Sequence, residues 1–272
     1  MIIIVIIGME AKRVIINNRH LHGLLLPMVL LLVWAVCSYA SFWSSYVLPG
    51  PGGVAVAAWQ MLTGGSLQKH ILVSFYRVFT GFFLALLLAF PLGVLSGMYS
   101  RCHAFFQPLL EFIRHIPPLA LMPMLILWFG IGEMPKLLIV VLATFFPIFL
   151  NTLHGVEQCD AKLIEVGKSF KMTRREIFRR IILPSALPAV LVGMRLGLGY
   201  SWRALIGAEL IAASSGIGYM ILDAEQLARP DVVLVGVLII GGLGSLIDWG
   251  FFGLTRKLVP WKEGEGAGYG KG

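Results

Sequence analysis

Between Ile71 and Met98 the chain runs for 28 residues with a single charged side chain, Arg77. A helix rises about 1.5 Å per residue, so roughly 20 apolar residues reach across the hydrocarbon core of a bilayer. Five more apolar runs are bounded by charge or by Gly and Pro, at about 24–42, 105–129, 137–153, 186–213 and 232–254. Composition agrees: 58% of residues are hydrophobic and 13% charged, with a mean hydropathy of +0.85. Soluble domains carry about 25% charged residues, so an ordinary water-soluble globule and a disordered chain are both excluded. The chain reads as an all-α integral membrane protein of about six spans. The 272 residues leave no room for a separate soluble catalytic domain.

The basic residues give an orientation. With the N-terminus inside, fifteen of the 22 Lys and Arg fall on cytoplasmic segments: Lys12, Arg13, Arg19, Arg101, Lys162, Lys168, Lys171, Arg174, Arg175, Arg179, Arg180, Arg256, Lys257, Lys262 and Lys271. Only Lys69, Lys136 and Arg229 fall outside, and Arg77, Arg114, Arg195 and Arg203 lie in or at the ends of spans. Such a bias marks the cytoplasmic side. An even number of spans independently puts both termini on the same side. The expected organisation is a cytoplasmic segment over 1–23, a transmembrane domain over 24–255 with a cytoplasmic loop at about 155–184, and a cytoplasmic tail over 256–272.

Several segments carry no chemistry. Cys37, Cys102 and Cys159 stand far apart without metal-ligand spacing and read as free thiols. No metal site and no catalytic residue is expected. Ile2 to Ile7 is too short to span; it reads as a frayed end or as an extension ahead of a start at Met9. Ser38-Tyr39-Ala40 faintly resembles a signal cleavage site, but the apolar run before it is longer than a signal core. The Pro/Gly-rich stretch 48–53 predicts an external turn, followed by a short interfacial helix over Val54 to Leu62. Gly270-Lys271 does not make a phosphate loop, because Glu265 and Gly272 stand where Gly and Ser or Thr belong.

The loop over 155–184 is the informative segment. Leu163, Val166 and Phe170 recur at helical spacing opposite Lys162, Glu165 and Lys168, which predicts an amphipathic helix. Thr173-Arg174-Arg175-Glu176 fits a capping box that starts a second helix carrying Ile177, Phe178, Ile181 and Ile182, with an end near Leu183-Pro184. A sharp joint is expected at Lys171 to Thr173. Seven basic and two acidic residues between Lys162 and Ile182 suit an anionic lipid surface or a cytoplasmic protein partner equally well.

Glu165-Val166-Gly167, with Leu183-Pro184 nineteen residues after Glu165, resembles the EAA loop of binding-protein-dependent ABC importer permeases. The family usually has Gly six residues after the Glu, where this chain has Lys171. Three further segments are similar to the nitrate, sulfonate and taurine branch: His115 through Glu133, Phe145 through Thr152, and Ser201 through Ala213. The resemblance implies the MetI-like type I importer fold. It assigns Glu165, Val166, Gly167, Phe170, Lys171, Thr173, Glu176, Leu183 and Pro184 to a loop that couples to an ATPase. It further implies a second permease copy forming a homodimer, a separate ATP-binding cassette ATPase that uses ATP and Mg, a periplasmic or lipid-anchored binding protein, and a place in the bacterial inner membrane. This chain would then bind no cofactor and no nucleic acid, and would not be an enzyme. The implied solute is a small anion such as an aliphatic sulfonate, taurine or nitrate, moved by alternating access. The alternatives are another small solute, such as a thiamine-precursor pyrimidine, or a secondary carrier driven by an ion gradient. A carrier should show an internal repeat and several deep acids.

Charges at bilayer depth cost about 2.5–3.5 kcal/mol each on insertion scales and therefore mark function or pairing. Arg77, Arg195, Arg203, Glu209 and Asp248 are of this kind. On the fifth span Gly193, Gly197, Ser201, Ala204 and Ala208 form a stripe suited to close helix packing. Arg195, Trp202 and Glu209, seven apart, form the opposite stripe, with Arg203 a quarter turn away. This predicts a polar seam facing a translocation cavity or a second subunit, with Arg203 the foremost path residue and Arg77 a further candidate. Glu111 and Arg114, three apart, are expected to pair. Pro117-Pro118, Pro123 and Pro147 should interrupt helices.

Overall fold

A computed structural model describes residues 25–40 and 42–260. The Ile2–Ile7 stretch, the alternative start at Met9 and the Gly-rich tail lie outside these residues. All regular structure among the described residues is helical. In chain order the helices are α1 (Leu25–Tyr39), α2 (Pro51–Thr63), α3 (Ser66–Met98), α4 (Ser100–Arg114), a 3-10 turn (Pro118–Leu121), α5 (Met122–Phe129), α6 (Glu133–Glu157), α7 (Ala161–Ser169), α8 (Arg174–Ile177), a π turn (Phe178–Ile182), α9 (Leu183–Ala212), α10 (Ile217–Gln226) and α11 (Pro230–Leu258).

The described chain divides into two compact units, one formed by residues up to 64 with 224–235, the other by 65–223 with 236 onward. In the first, the Trp34 indole donates to the Pro49 carbonyl at 3.1 Å, tying the end of α1 to the turn before α2. Pro51 opens α2, where its missing N–H costs no helical bond.

In the second unit α6 lies between α3 and α9. Close approach explains the small residues. A Cβ on Gly93 would stand 2.9 Å from the Phe149 carbonyl oxygen, and one on Gly193 would stand 2.8 Å from that of Pro147. Gly193 and Gly197 of the small-residue stripe face α6, and Ser201 and Ala208 are buried. Lipid tails are as apolar as the helices, so such backbone-to-backbone fit, rather than hydrophobic burial, drives association.

Among the described residues four helical stretches are long and apolar enough to cross a membrane: α3, α6, Arg174–Ala212 and α11. The expected third span departs from a straight helix. It is α4 and the 3-10/α5 pair, bent by 82°. Pro117 and Pro118 lack amide donors, and Pro117 takes an extended ψ of 125°, as residues before a proline do. Counting that bent pair as one span gives five. α1 is shorter than a span over its described 15 residues. A second correction concerns the loop. Its second helix does not end near Leu183-Pro184; Arg174–Ala212 is continuous. The π turn widens the helix just before Pro184, where the ring would otherwise press on the carbonyl four residues back. α3 likewise begins at Ser66, earlier than expected, with Gly65 at φ +76° in the capping position before it.

Candidate functional site

Three arrangements carry charge: the bent loop, a cluster at one end of α3, α6 and α9, and a cavity beside the broken α4–α5 span.

In the loop, Asp160 caps α7 by accepting from the Lys162 amide at 2.9 Å. α7 ends at Ser169, and Lys171 takes the left-handed conformation at φ +54°. Lys171 thus performs the chain reversal for which glycine is usual, at a cost of about 1–2 kcal/mol. The capping box follows. Thr173 Oγ1 accepts from the Glu176 amide at 3.3 Å, and Glu176 Oε2 accepts from the Thr173 amide at 2.8 Å. This polar turn precedes the apolar spanning stretch, and the Thr173 amide and hydroxyl hold the Glu176 carboxyl below the ordinary carboxylate range. Gly167 is buried against Ile177 and Ile181, so α7 folds back on the π turn. Leu163, Val166 and Phe170 are left exposed, at 49%, 51% and 78%. Pro184 and Leu183 lie inside the continuous helix, half-buried. Glu165 is exposed beside the apolar face.

The second arrangement is an ion network. Arg77, 2% exposed, donates from Nε to Glu133 Oε2 at 2.6 Å, from Nη1 to Glu209 Oε1 at 2.8 Å and from Nη1 to the Ser215 carbonyl at 2.6 Å. Glu209 is fully enclosed and also accepts from Ser74 Oγ at 2.8 Å and the Gly218 amide at 2.9 Å. Lys136 donates to Glu133 Oε1 at 2.8 Å. Two cations thus face two carboxylates, and each of the four has a partner of opposite charge. The structure therefore places Arg77 and Glu209 inside the packing of α3, α6 and α9, with Glu133, 54% exposed, at the open edge of the network. Ser74, Glu133, Lys136 and Ser215 were not singled out in the sequence; the i,i+3 spacing of Glu133 and Lys136 is the one sign they gave.

The third is a cavity of about 590 Å³ whose wall is mostly apolar, with residues such as Pro117, Leu121, Phe146 and Leu196. Arg114, Tyr200 and Arg203 are its polar members. Arg203 is exposed and lies over the Tyr200 ring at 5.4 Å. Among the described residues neither Arg114 nor Arg203 pairs with a carboxylate. The expected Glu111–Arg114 pair does not form; Glu111 accepts from Gln107 at 3.1 Å instead. Trp202 is 5% exposed and donates from Nε1 to the Ile240 carbonyl at 3.2 Å. Arg195 pairs with Asp248 at 2.6 Å. Of the proposed polar seam, Arg203 alone reaches the large cavity.

Residues 69–259 match the family described as binding-protein-dependent transport system inner membrane component. The chain belongs to that family. The permease is therefore a multi-pass inner-membrane transport component and not an enzyme. It is 38% identical over 243 residues to the permease protein SsuC of Bacillus subtilis (strain 168), named for aliphatic sulfonates transport, covering 89% of this chain and 88% of that one. It is 36% identical over 238 residues to the taurine transport system permease protein TauC of Escherichia coli (strain K12), covering 86% of each. A bicarbonate transport system permease protein, CmpB of Synechococcus elongatus, is 30% identical and covers 85% of this permease and 88% of its own length. Among solved structures, an inward-facing form of the MetNI methionine ABC transporter superposes with a TM-score of 0.61 at 17% identity, covering 72% of this permease and 97% of that chain. That likeness concerns the fold, which is the type I ABC importer permease fold.

Proposed function

We propose that this permease is the membrane subunit of an ATP-driven importer for a small organic anion, with an aliphatic sulfonate or taurine as the foremost substrate. The cavity carries the reading. Two guanidinium groups that pair with no carboxylate among the described residues, Arg114 and Arg203, stand with Tyr200 in a mostly apolar chamber large enough for a small solute. In a low-dielectric wall such groups attract an anion, and the apolar lining accommodates a short carbon chain. The names of the sulfonate and taurine relatives support the same class.

The proposed assembly contains two copies of this chain, two copies of an ABC ATPase, and a periplasmic or lipid-anchored protein that delivers the solute. ATP and Mg are used on the ATPase, and this chain binds no cofactor. Both termini face the cytoplasm if the apolar run at 24–42 is counted as a sixth span beside the five of the described residues. The exposed apolar face of α7, with Glu165, Val166 and Phe170 and the capped turn at Lys171, Thr173 and Glu176, seats against the ATPase. Because α8 continues through Leu183 and Pro184 into α9, a tilt of the loop passes directly to the helix that carries Arg203. ATP-driven closure would thus open the cavity outward, and hydrolysis would return it inward.

The test is uptake of labelled taurine into proteoliposomes containing the permease, its ATPase and its binding protein. Uptake should need ATP and should be competed by ethanesulfonate more strongly than by nitrate or bicarbonate. Full uptake driven by an ion gradient without ATP would overturn the mechanism, and failure of sulfonates to compete would overturn the substrate class.

A further inference from the structure

Arg195 and Asp248 join α9 to α11 within the apolar stretches of these two spanning helices. The pair is bidentate: Nε donates to Oδ1 and Nη2 to Oδ2, each at 2.6 Å. Yet it is open, with the side chains 42% and 53% exposed. Open charge at that depth is unfavourable against lipid, even when paired, because hydrocarbon solvates neither partner. The face bearing this pair therefore meets water or polar protein surface.

A niche of about 180 Å³ sits at the pair, and Arg195, Trp202, Arg203 and Asp248 are among its walls. Arg203 also lines the large cavity, so the two spaces share a wall residue. The niche holds two guanidinium groups and one carboxylate, a net charge of +1. Arg203 and Arg195 are eight residues apart on α9, about 12 Å of helix rise.

Building on the anion-import reading above, we infer that the niche between α9 and α11 is a second anion station, in which Asp248 competes with the solute for Arg195. An anion leaving Arg203 can be accepted by Arg195, whose affinity is held down by the bidentate carboxylate. Tight capture would trap the solute, whereas a partly neutralised cation lets it pass on. Asp248 is in this sense a positioning residue that limits residence time.

Two readouts test it on the full chain. The first needs no identified solute: quenching by iodide, in lipid nanodiscs, of a neutral fluorophore attached at Gly199→Cys in a chain whose three native cysteines are replaced by Ser, since Gly199 lines the niche with open space at its Cβ. Niche charge is about +1 in the native chain, 0 in Arg195→Gln, +2 in Asp248→Asn and +1 again in the double variant. The iodide constant should follow that order, falling and rising by about twofold around a shared value for native and double forms. Neutral acrylamide should show no such order. The second readout is taurine uptake in the complete transporter, where the KM should rise in Arg195→Gln and fall in Asp248→Asn, with slower turnover in the latter.

A niche closed to anions would give iodide constants unrelated to niche charge, and a pair that serves packing alone would leave KM unchanged in both single variants or shift it the same way in both. Either result overturns the inference. Should Arg195→Gln fail to fold, the native, double and Asp248→Asn forms still give the order. Absence of ATP-dependent taurine uptake in the native complex would remove the proposed function while leaving the iodide order to stand or fall separately.

Discussion

Arg77 and Glu209, 132 residues apart in the sequence, meet at 2.8 Å with almost no exposure of either. Through them α3 and α9 are joined, and through Glu133 and Lys136 the N-terminal end of α6 is added. Ser74 completes the junction by donating to Glu209 and accepting from the Ile217 amide at 2.9 Å. The cluster is a clamp across the three packed spans.

Removing one member of this clamp leaves an unpaired buried charge. Arg77→Ala or Glu209→Ala should cost about 3–5 kcal/mol, whereas an Arg77→Met/Glu209→Leu double variant should cost less than either. Thermal unfolding in detergent reads the difference. Native-like melting of Arg77→Ala would show that the clamp contributes nothing.

Lys171 holds a positive φ that glycine adopts freely. Lys171→Gly should tighten the joint between α7 and α8, slowing amide hydrogen exchange over residues 161–177, and Lys171→Val should speed it. The expected gain for glycine is about 1 kcal/mol. Equal exchange in the three forms would mean that the turn is not under strain.

The capping box makes the loop sensitive to acid. Glu176 has a depressed pKa in the folded loop, because the Thr173 amide and hydroxyl stabilise its carboxylate. Its contribution is therefore present above the unfolded carboxylate pKa and is lost as pH falls through the folded value. Amide protection at 173–177 should decline on acidification in the native chain and be weak at every pH in Thr173→Ala. A Thr173→Ala loop with undiminished protection at neutral pH would exclude this role for the cap.

Arg203 should matter to transport without mattering to the fold. It is exposed, stacks on Tyr200 and has no acid partner among the described residues. Arg203→Ala should lower taurine uptake at least about tenfold, Arg203→Lys less, with melting temperature unchanged. Unchanged uptake and affinity in Arg203→Ala would take this residue off the path.

Gly193 tests the packing seam. A larger side chain meets the Pro147 carbonyl and Asn151 directly, so Gly193→Leu should destabilise the α6–α9 pair by about 1–3 kcal/mol or more. Expression of folded protein, measured by size exclusion in detergent, should fall; a native-like elution profile at native yield would show that the helices can move apart.

The sequence alone determined the all-helical membrane class, the family, the small-residue stripe and the capping box at Thr173 and Glu176. Each rests on signals local in the chain: apolar run length, helical spacing, and four-residue turn chemistry. The tertiary structure decided what lies opposite each deep charge. Spacing on α9 set Arg195, Trp202 and Glu209 on one stripe, yet their partners come from α11, α11 and α3. A helical wheel gives the direction of a side chain but not what stands there. The 82° bend at Pro117-Pro118 and the unbroken run through Pro184 follow the same logic. A proline removes one amide donor in either case, and whether the helix breaks or widens depends on what the neighbouring helices hold in place.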